Sequence, residues 1–426
     1  MNFFGLHRNI RIRLVSLFLT RTANNTVFPF VGIYFVDKLG TDKGSLALFL
    51  ISLVTMLAGF PGGYLADRIG RKKMILISES FMFLAFAGMT LANSPLLDSV
   101  RLTWWMMILH GAGLGLSLPA TDAMIIDSSN SENRRTVYTL QYWIYNLSIM
   151  IGSLIGGLYF LDKRFWLFLA LSVVSLINLL LFATLRELMP APTKAPDLSE
   201  FLSDFSASYR KVAVDRLFIL YWIASLAVLS LEFQFPYYVT VLLHRTFPEQ
   251  TLSISGLFSA TLDGIQAVSW LRMENTVLIV AGALLLSSWI KKMNDRAALT
   301  GGIALYTVGN AALVLTQDIG LLLLAVFVYT LGEVIFIPVK QSMLADLADE
   351  RSRSAYMAVY NQLFHVGRLA GSLGISLGAR LTPGWMAFLF LITGFAGLML
   401  FRTICRRMEH RLSSPPHGEK KMVGQP

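Results

Sequence analysis

Long apolar runs, each about the length of a bilayer crossing, alternate with short polar connections along most of the 426 residues. A spanning helix needs roughly 20 mostly apolar residues. Twelve runs reach that length, at 14–36, 45–66, 74–93, 102–125, 137–160, 165–185, 216–243, 274–290, 298–316, 319–343, 355–378 and 384–404. Backbone groups in lipid must be bonded within their own segment, so runs this long form helices; barrel strands would be about half as long. The pattern therefore predicts an all-α integral membrane protein with twelve transmembrane helices.

The longest polar connection, 186–215, carries Pro190, Pro192, Pro196 and mixed charges, and reads as a linker. It divides the chain into an N-terminal half, 1–185, and a C-terminal half, 216–405, with six spans each, followed by a basic, Pro-containing tail, 406–426, whose composition predicts disorder. The halves echo one another. Pro119 precedes Asp127 and Pro338 precedes Asp346 at the same spacing; Glu132, Arg134 and Tyr138 follow the first aspartate, and Glu350, Arg353 and Tyr356 follow the second. Duplicated six-helix halves with a cavity at their interface are a transporter architecture, which predicts pseudo-symmetric bundles. The connection 244–273, with Pro248, Asp263, Gly264 and Trp270, predicts a short interfacial helix outside the bilayer.

Composition agrees, with 55% hydrophobic residues, 15% charged and a mean hydropathy of +0.59. A net charge of +10 would suggest nucleic acid in a soluble protein. Here most of the 36 Lys and Arg fall on the side of the N-terminus, which places both termini in the cytoplasm of a cell (plasma or inner) membrane and leaves lipid and small molecules, not nucleic acid, as partners. His7, Arg8, Arg11 and Arg13 precede a long first span without a small-residue cleavage site, so the first helix is expected to be retained. The one cysteine, Cys405, excludes an internal disulfide framework and a cysteine-based metal site. No nucleophile-base-acid arrangement, phosphate loop or metal-ligand cluster stands out, and the six histidines are scattered, so the chain does not read as an enzyme.

Ionisable side chains inside spans cost several kcal/mol unless they face a cavity or a partner, which makes each a candidate for function. Glu333 lies mid-span among Val326, Phe327, Val328, Val334, Ile335 and Phe336. It is either a carboxyl that exchanges protons and attracts a cation when ionised, or a buried acid bonded to a neighbouring helix. Glu232, between Leu231 and Phe233, has similar surroundings. Arg21 can snorkel back to the basic N-terminal interface or contact substrate. Asp122, Asp127 and Asp346 near inner helix ends suit pairing with Arg134, Arg135 or Arg353, and Lys340, His365 and Arg368 can pair with acids of their own half. His110 is a packed histidine or a proton relay. With 29 Phe, 14 Tyr, 8 Trp and 18 Met, the chain can line a pocket that accepts unrelated apolar molecules, with Asn25 and Tyr34 in the first span and Tyr142, Trp143 and Tyr145 in the fifth as candidates.

The segment Gly63-Tyr64-Leu65-Ala66-Asp67-Arg68-Ile69-Gly70-Arg71-Lys72-Lys73 resembles the loop signature G-x-L-a-D-r-x-G-r-k of the major facilitator superfamily. Physically, the second span ends near Asp67, where the helix dipole disfavours a carboxylate, so Asp67 needs a cation such as Arg71 or the N-terminus of another helix, near Ser352 to Ala355. The resemblance implies a conformational gate formed by Gly63, Asp67, Arg68, Gly70 and Arg71; the bland alternative is an orientation signal alone. Gly152-Ser153-Leu154-Ile155-Gly156-Gly157 resembles the antiporter signature G-P-x-x-G-G, with Ser153 in place of proline, although Gly152, Gly156 and Gly157 equally suit close helix packing. Ile108 stands where many drug antiporters carry arginine. Residues 123–134, Tyr142-Trp143 and Tyr329-Thr330-Leu331-Gly332-Glu333 resemble LmrP-type multidrug/proton antiporters. That resemblance carries functional roles to Asp67, Asp127 and Glu333, while Gln141 and Gln234 stand where acids would fall and Glu232 lies two residues before the second. It implies a monomeric exporter of lipophilic, often cationic compounds, working by alternating access and powered by the proton gradient without a cofactor. The alternative is a carrier of one metabolite, its cavity lined by polar residues such as Asn24, Asn25, Gln141, Asn146, Gln234 and Asn361.

Overall fold

The computed structural model describes residues 7–128, 134–185, 210, 212–254, 258–286, 290, 292–347 and 353–413. Its first six helices are α1 (Arg8–Leu39), α2 (Thr41–Ile69), α3 (Arg71–Ala92), α4 (Val100–Ser128), α5 (Arg134–Tyr159) and α6 (Arg164–Ala183). The second half holds α7 (Arg216–Gln234), α8 (Thr240–Thr246), α9 (Gly264–Leu285), α10 (Asp295–Leu313), α11 (Ile319–Leu347), α12 (Arg353–Arg380) and α13 (Pro383–Ser413). A π-helical turn, Phe235–Val239, joins α7 to α8, so these thirteen helices make twelve crossings. Pro236 accounts for the interruption: it has no N–H to donate and its ring crowds the preceding turn. The Thr240 hydroxyl donates to the Phe235 carbonyl at 2.8 Å, supplying a bond within the irregular turn.

Two joints are tight because they turn on a single glycine. Gly40 between α1 and α2 has φ +81°, and Gly70 between α2 and α3 has φ +95°, a region that residues with a Cβ enter at a steric cost. Gly70 lies in the signature loop, and its N–H closes α2 by bonding the Ala66 carbonyl at 3.1 Å.

The helices of the two halves pair in the same way. Within the first, α1 packs on α5, α2 on α4, α3 on α4 and α3 on α6. Within the second, α7 packs on α12, α9 on α11, α10 on α11 and α10 on α13, which are the corresponding spans. The seam between halves follows the same symmetry, with α2 against α12 and α5 against α9. Apolar and aromatic packing fills each half, as in the run of fully buried rings Phe30, Phe160 and Phe168, whose neighbouring centroids lie 6.0 and 6.2 Å apart.

Two expectations need correction. The segment 244–273 holds an antiparallel hairpin, Gln250–Ile254 against Phe258–Leu262, and the eighth crossing begins at Gly264, ten residues before its expected start at 274. Asp263 starts this helix through a capping box: its carboxylate accepts from the N–H groups of Ile265 and Gln266, and the Gln266 side chain accepts from the Asp263 N–H at 3.3 Å. The last helix also runs on to Ser413, past the boundary at 406 where disorder was expected. Extending an established helix by a residue adds a backbone bond without a new nucleation cost, so a helix leaving the membrane need not stop at the interface. Residues 414–426 and most of the linker lie outside the described residues; Asp215, at the linker's end, caps α7 by accepting from Leu217 and Phe218.

Glycine packing on α5 gives a stability test. A Cβ at Gly156 would collide with the Thr26 carbonyl and the Phe30 ring, whereas one at Gly301, on an exposed face of α10, would meet nothing within 4 Å. Gly156→Ala is expected to lower stability by about 1–3 kcal/mol in detergent through overpacking. Gly301→Ala is expected to raise it by roughly 0.5–1 kcal/mol through helix propensity. Thermal unfolding of the two variants beside the parent protein measures both effects.

Candidate functional site

Charged and polar side chains at mid-bundle gather at the seam, chiefly on α1, α5, α7, α9, α11 and α12. On the second half, Glu333 of α11 accepts a hydrogen bond from Asn275 Nδ2 of α9 at 3.3 Å, and the same amide donates to Thr330 at 2.9 Å. Glu232 of α7 is exposed and lies in electrostatic range of Glu333, Arg272 and Lys340. Tyr306 and Tyr329, ring centroids 5.9 Å apart, interact electrostatically with both carboxyls. Lys340 is held over the Phe336 ring at 5.7 Å.

Facing this group are three guanidiniums. Arg21 of α1 lies over the Tyr145 ring of α5 at 5.1 Å. Tyr145 lies about 16 Å along α5 from its start, by helical rise. Arg272 of α9 donates to Asn25 of α1 at 3.3 Å, a bond that crosses the seam. Arg368 of α12 is sandwiched between Phe28 of α1 at 5.2 Å and Phe233 of α7 at 6.0 Å.

The seam is closed at the end of the bundle away from the termini. There Ser45 donates to the Ser372 carbonyl at 2.5 Å, Ser52 and Tyr237 share a bond at 3.2 Å, and Ser269 donates to the Ser153 carbonyl at 3.0 Å. Phe28 meets Tyr237 edge to face. Exposed pairs, Asp42 with Arg380 at 3.1 Å and Asp37 with His244 at 3.2 Å, rim this closure.

Several sequence candidates lie elsewhere. Tyr34 is 2% exposed, its hydroxyl 3.4 Å from Thr103 and its ring under Arg164, so it packs inside the first half rather than lining the seam. Gln234 donates to the Ala370 carbonyl at 3.3 Å and is wedged against α12 at Gly374. His110 is 8% exposed and packs edge-on against Phe86, its centroid 5.0 Å away, beside a small cavity of the first half. Gly152 and Gly156 face α1, and Gly157 faces Ser269 of α9, so this glycine motif serves helix approach at both contacts. Gln141 is half-buried on α5. The side chains of Asp67, Arg68, Asp127 and Tyr142, the environment of Gly63, and the proposed partner of Asp67 around Ser352 fall outside the described residues; Gly70 and Arg71 form the joint between α2 and α3.

Sequence reasoning missed Arg272, Glu274 and Asn275, because they lie within two residues of the expected start of the eighth span. The Asp263-x-x-Gln266 pattern ahead of an apolar run was the available signal. It also missed Glu79 of α3, 2% exposed, which accepts from Asn178 of α6 at 2.7 Å.

Two pseudo-symmetric six-helix halves with ionisable side chains along their seam define a membrane carrier rather than an enzyme. The model of the Major Facilitator Superfamily matches residues 14–271 and 260–424, and the chain belongs to that superfamily of transporters. It is 28% identical over 416 residues to a Na(+), Li(+), K(+)/H(+) antiporter of Planococcus maritimus, covering 94% of this chain and 97% of that protein. It is 25% identical over 392 residues to the multidrug resistance protein MdtH of Salmonella paratyphi B, covering 90% of each. A crystal structure of a POT family transporter in complex with 5-aminolevulinic acid has the same fold, with a TM-score of 0.77 over 97% of this chain and 98% of that one at 14% identity.

Closure away from the termini can be tested by cross-linking. The one native cysteine, Cys405, is buried, so a double variant Asp42→Cys/Arg380→Cys offers two exposed thiols at the rim. A short bifunctional thiol reagent is expected to link them within one chain in substrate-free protein, read as a mobility shift after cleavage between the halves. No link under conditions that modify both thiols singly would contradict the closed rim.

Proposed function

We propose that this chain is a proton-coupled antiporter that exports lipophilic, often cationic compounds by alternating access across the plasma or inner membrane, with both termini in the cytoplasm. The observation that carries the reading is the carboxyl pair Glu232 and Glu333, in mutual electrostatic range at membrane depth with Glu232 open to the seam. Two such carboxyls cannot both carry charge cheaply in a low-dielectric setting, so occupancy by protons and by a cationic substrate are in competition. That competition is the requirement of exchange: release of the proton to one side prepares the site for cargo, and return of the proton displaces it. Phe233 and Tyr145 supply aromatic surface that suits lipophilic cargo.

In this reading, closure away from the termini corresponds to a cytoplasm-facing state, and Asp67 with Arg71 gates the opposite side when the halves rock. Asp127, on the same end of α4, is assigned to coupling by its motif alone. Proton coupling has support from the Planococcus maritimus antiporter, and drug export from MdtH. The antiporter also favours a second reading, exchange of a monovalent metal cation for protons at the same carboxyls.

One assay separates these readings. In proteoliposomes with an imposed proton gradient, flux of a fluorescent lipophilic cation and of Na⁺ or K⁺ is measured side by side. Gradient-driven dye flux is expected, and Glu333→Gln is expected to reduce it about tenfold or more, equivalent to roughly 1.4 kcal/mol. Dye-for-dye exchange without a gradient should be reduced far less, because it needs no net proton movement. Gradient-driven Na⁺ or K⁺ flux without dye flux favours the metal-cation reading, and undiminished driven flux in Glu333→Gln removes that residue from coupling.

A further inference from the structure

The carboxyls named above leave the opposite charge in the seam unexplained. Arg21 lies on α1, Arg272 of α9 and Arg368 of α12 rest on Asn25 and Phe28 of that same helix, and among the described residues none of the three has a carboxylate within 4.0 Å. Arg368 is the most isolated. The groups in its electrostatic range are Arg21, Tyr145 and Tyr237, while His110 and His365 in turn feel Arg368; no carboxylate is among them. Arg272 has Glu232 in range, together with Tyr145 and Tyr329. Tyr145 is common to all three guanidiniums.

Part of their hydrogen-bonding capacity is also unspent. The buried Nε atoms of Arg272 and Arg368 have no partner, nor does Nδ1 of His365, which lies three residues before Arg368 on the same helix face. A guanidinium is a planar fork of donors that cannot shed its charge at physiological pH, and it matches the two oxygens of a carboxylate. Rings of Phe28 and Phe233 flank the Arg368 guanidinium, so an apolar or aromatic body attached to such an anion would have surfaces to lie against.

We propose that the seam holds an anion subsite centred on Arg368, with Arg21 and Arg272 at its sides, and that it takes the carboxylate of an amphipathic substrate. This deepens the exporter reading and rests on the seam being the substrate path. Cargo with both a cationic and a carboxylate group would then place its cation toward Glu232 and Glu333 and its anion toward Arg368. A purely cationic molecule would leave Arg368 without an offsetting charge. Selectivity would therefore favour zwitterionic amphiphiles over lipophilic cations of the same size.

A matched pair of dyes tests this: a rhodamine with a free carboxyl and its methyl ester, which share the xanthene cation and differ in the anion. Binding of each to the purified full-length protein in detergent is measured by fluorescence anisotropy without a proton gradient. The free acid is expected to bind about tenfold more tightly than the ester. Arg368→Gln is expected to bring the acid down to the affinity of the ester, and Arg368→Lys, which keeps the charge but not the fork, to restore part of the difference. Equal affinities in the unmodified protein, tighter ester binding, or failure of both dyes to bind overturns the proposal, as does an unchanged preference in folded Arg368→Gln. Should that variant fail to fold, the comparison in the unmodified protein still decides. Failure of proton coupling is distinguishable, since a protein that prefers the acid here but shows no gradient-driven flux keeps the subsite and loses only the coupling.

Discussion

A charge held at bilayer depth must find water, a partner or a cavity, and this constraint decides which face of each helix can meet lipid. Among the described residues, six segments are apolar enough to cross on length and composition alone, including α3, α6 and α13. Helices α1, α5, α9 and α12, which carry Arg21, Tyr145, Arg272 and Arg368, are outside that group and meet at the seam. Duplication makes the arrangement economical, because the same pairing of spans in both halves leaves corresponding helices facing one another. The seam is therefore both the place where charge is tolerable and the surface along which the halves can move.

Close helix approach follows from a second, steric constraint. In lipid, water exclusion does not drive helices together, so small residues that let backbones touch become important. Gly152 and Gly156 bring α5 onto α1 near Thr22 and Thr26, and Gly157 brings its other side onto Ser269 of α9. The motif that resembles an antiporter signature thus spans one contact within a half and one across the seam. Ser153, in the place of the signature proline, leaves α5 without the kink that proline would impose, and its carbonyl accepts the cross-seam bond from Ser269.

The number of crossings, their grouping and the location of Glu333 in the tenth were legible because they depend on run length and on a single ionisable residue in an apolar setting. Boundaries were less legible where polar side chains serve the seam. Residues 264–273 include Gln266, which caps its own helix, and Ser269 and Arg272, which bond to other helices, so an apolarity window reads them as a loop. Arg21 was ambiguous for a related reason: proximity to the basic N-terminus suggested snorkelling, whereas its ring partner Tyr145 is distant in sequence and visible only after folding. Tyr34 and Gln234 show the converse. Their residue types suit a cavity, but rotation about the helix axis buries both against neighbouring helices.

Charge in the seam is separated as well as confined. Carboxyls lie on α7, α9 and α11 of the second half, while Arg21 reaches from the first half and Arg272 and Arg368 bind first-half groups, Asn25 and Phe28. The arginines consequently belong to the closure as well as to the cleft. Rocking the halves to open the far end must break the Arg272 bond to Asn25 and withdraw Arg368 from Phe28, exposing guanidiniums whose partners are lost. A bound anion that travels with one of them would offset that loss, and a proton on Glu232 or Glu333 would alter the field in which Arg272 and Lys340 sit. In the proposed exchange, cargo, proton and closure would act on one set of side chains, and that shared set would make the state of the seam depend on occupancy.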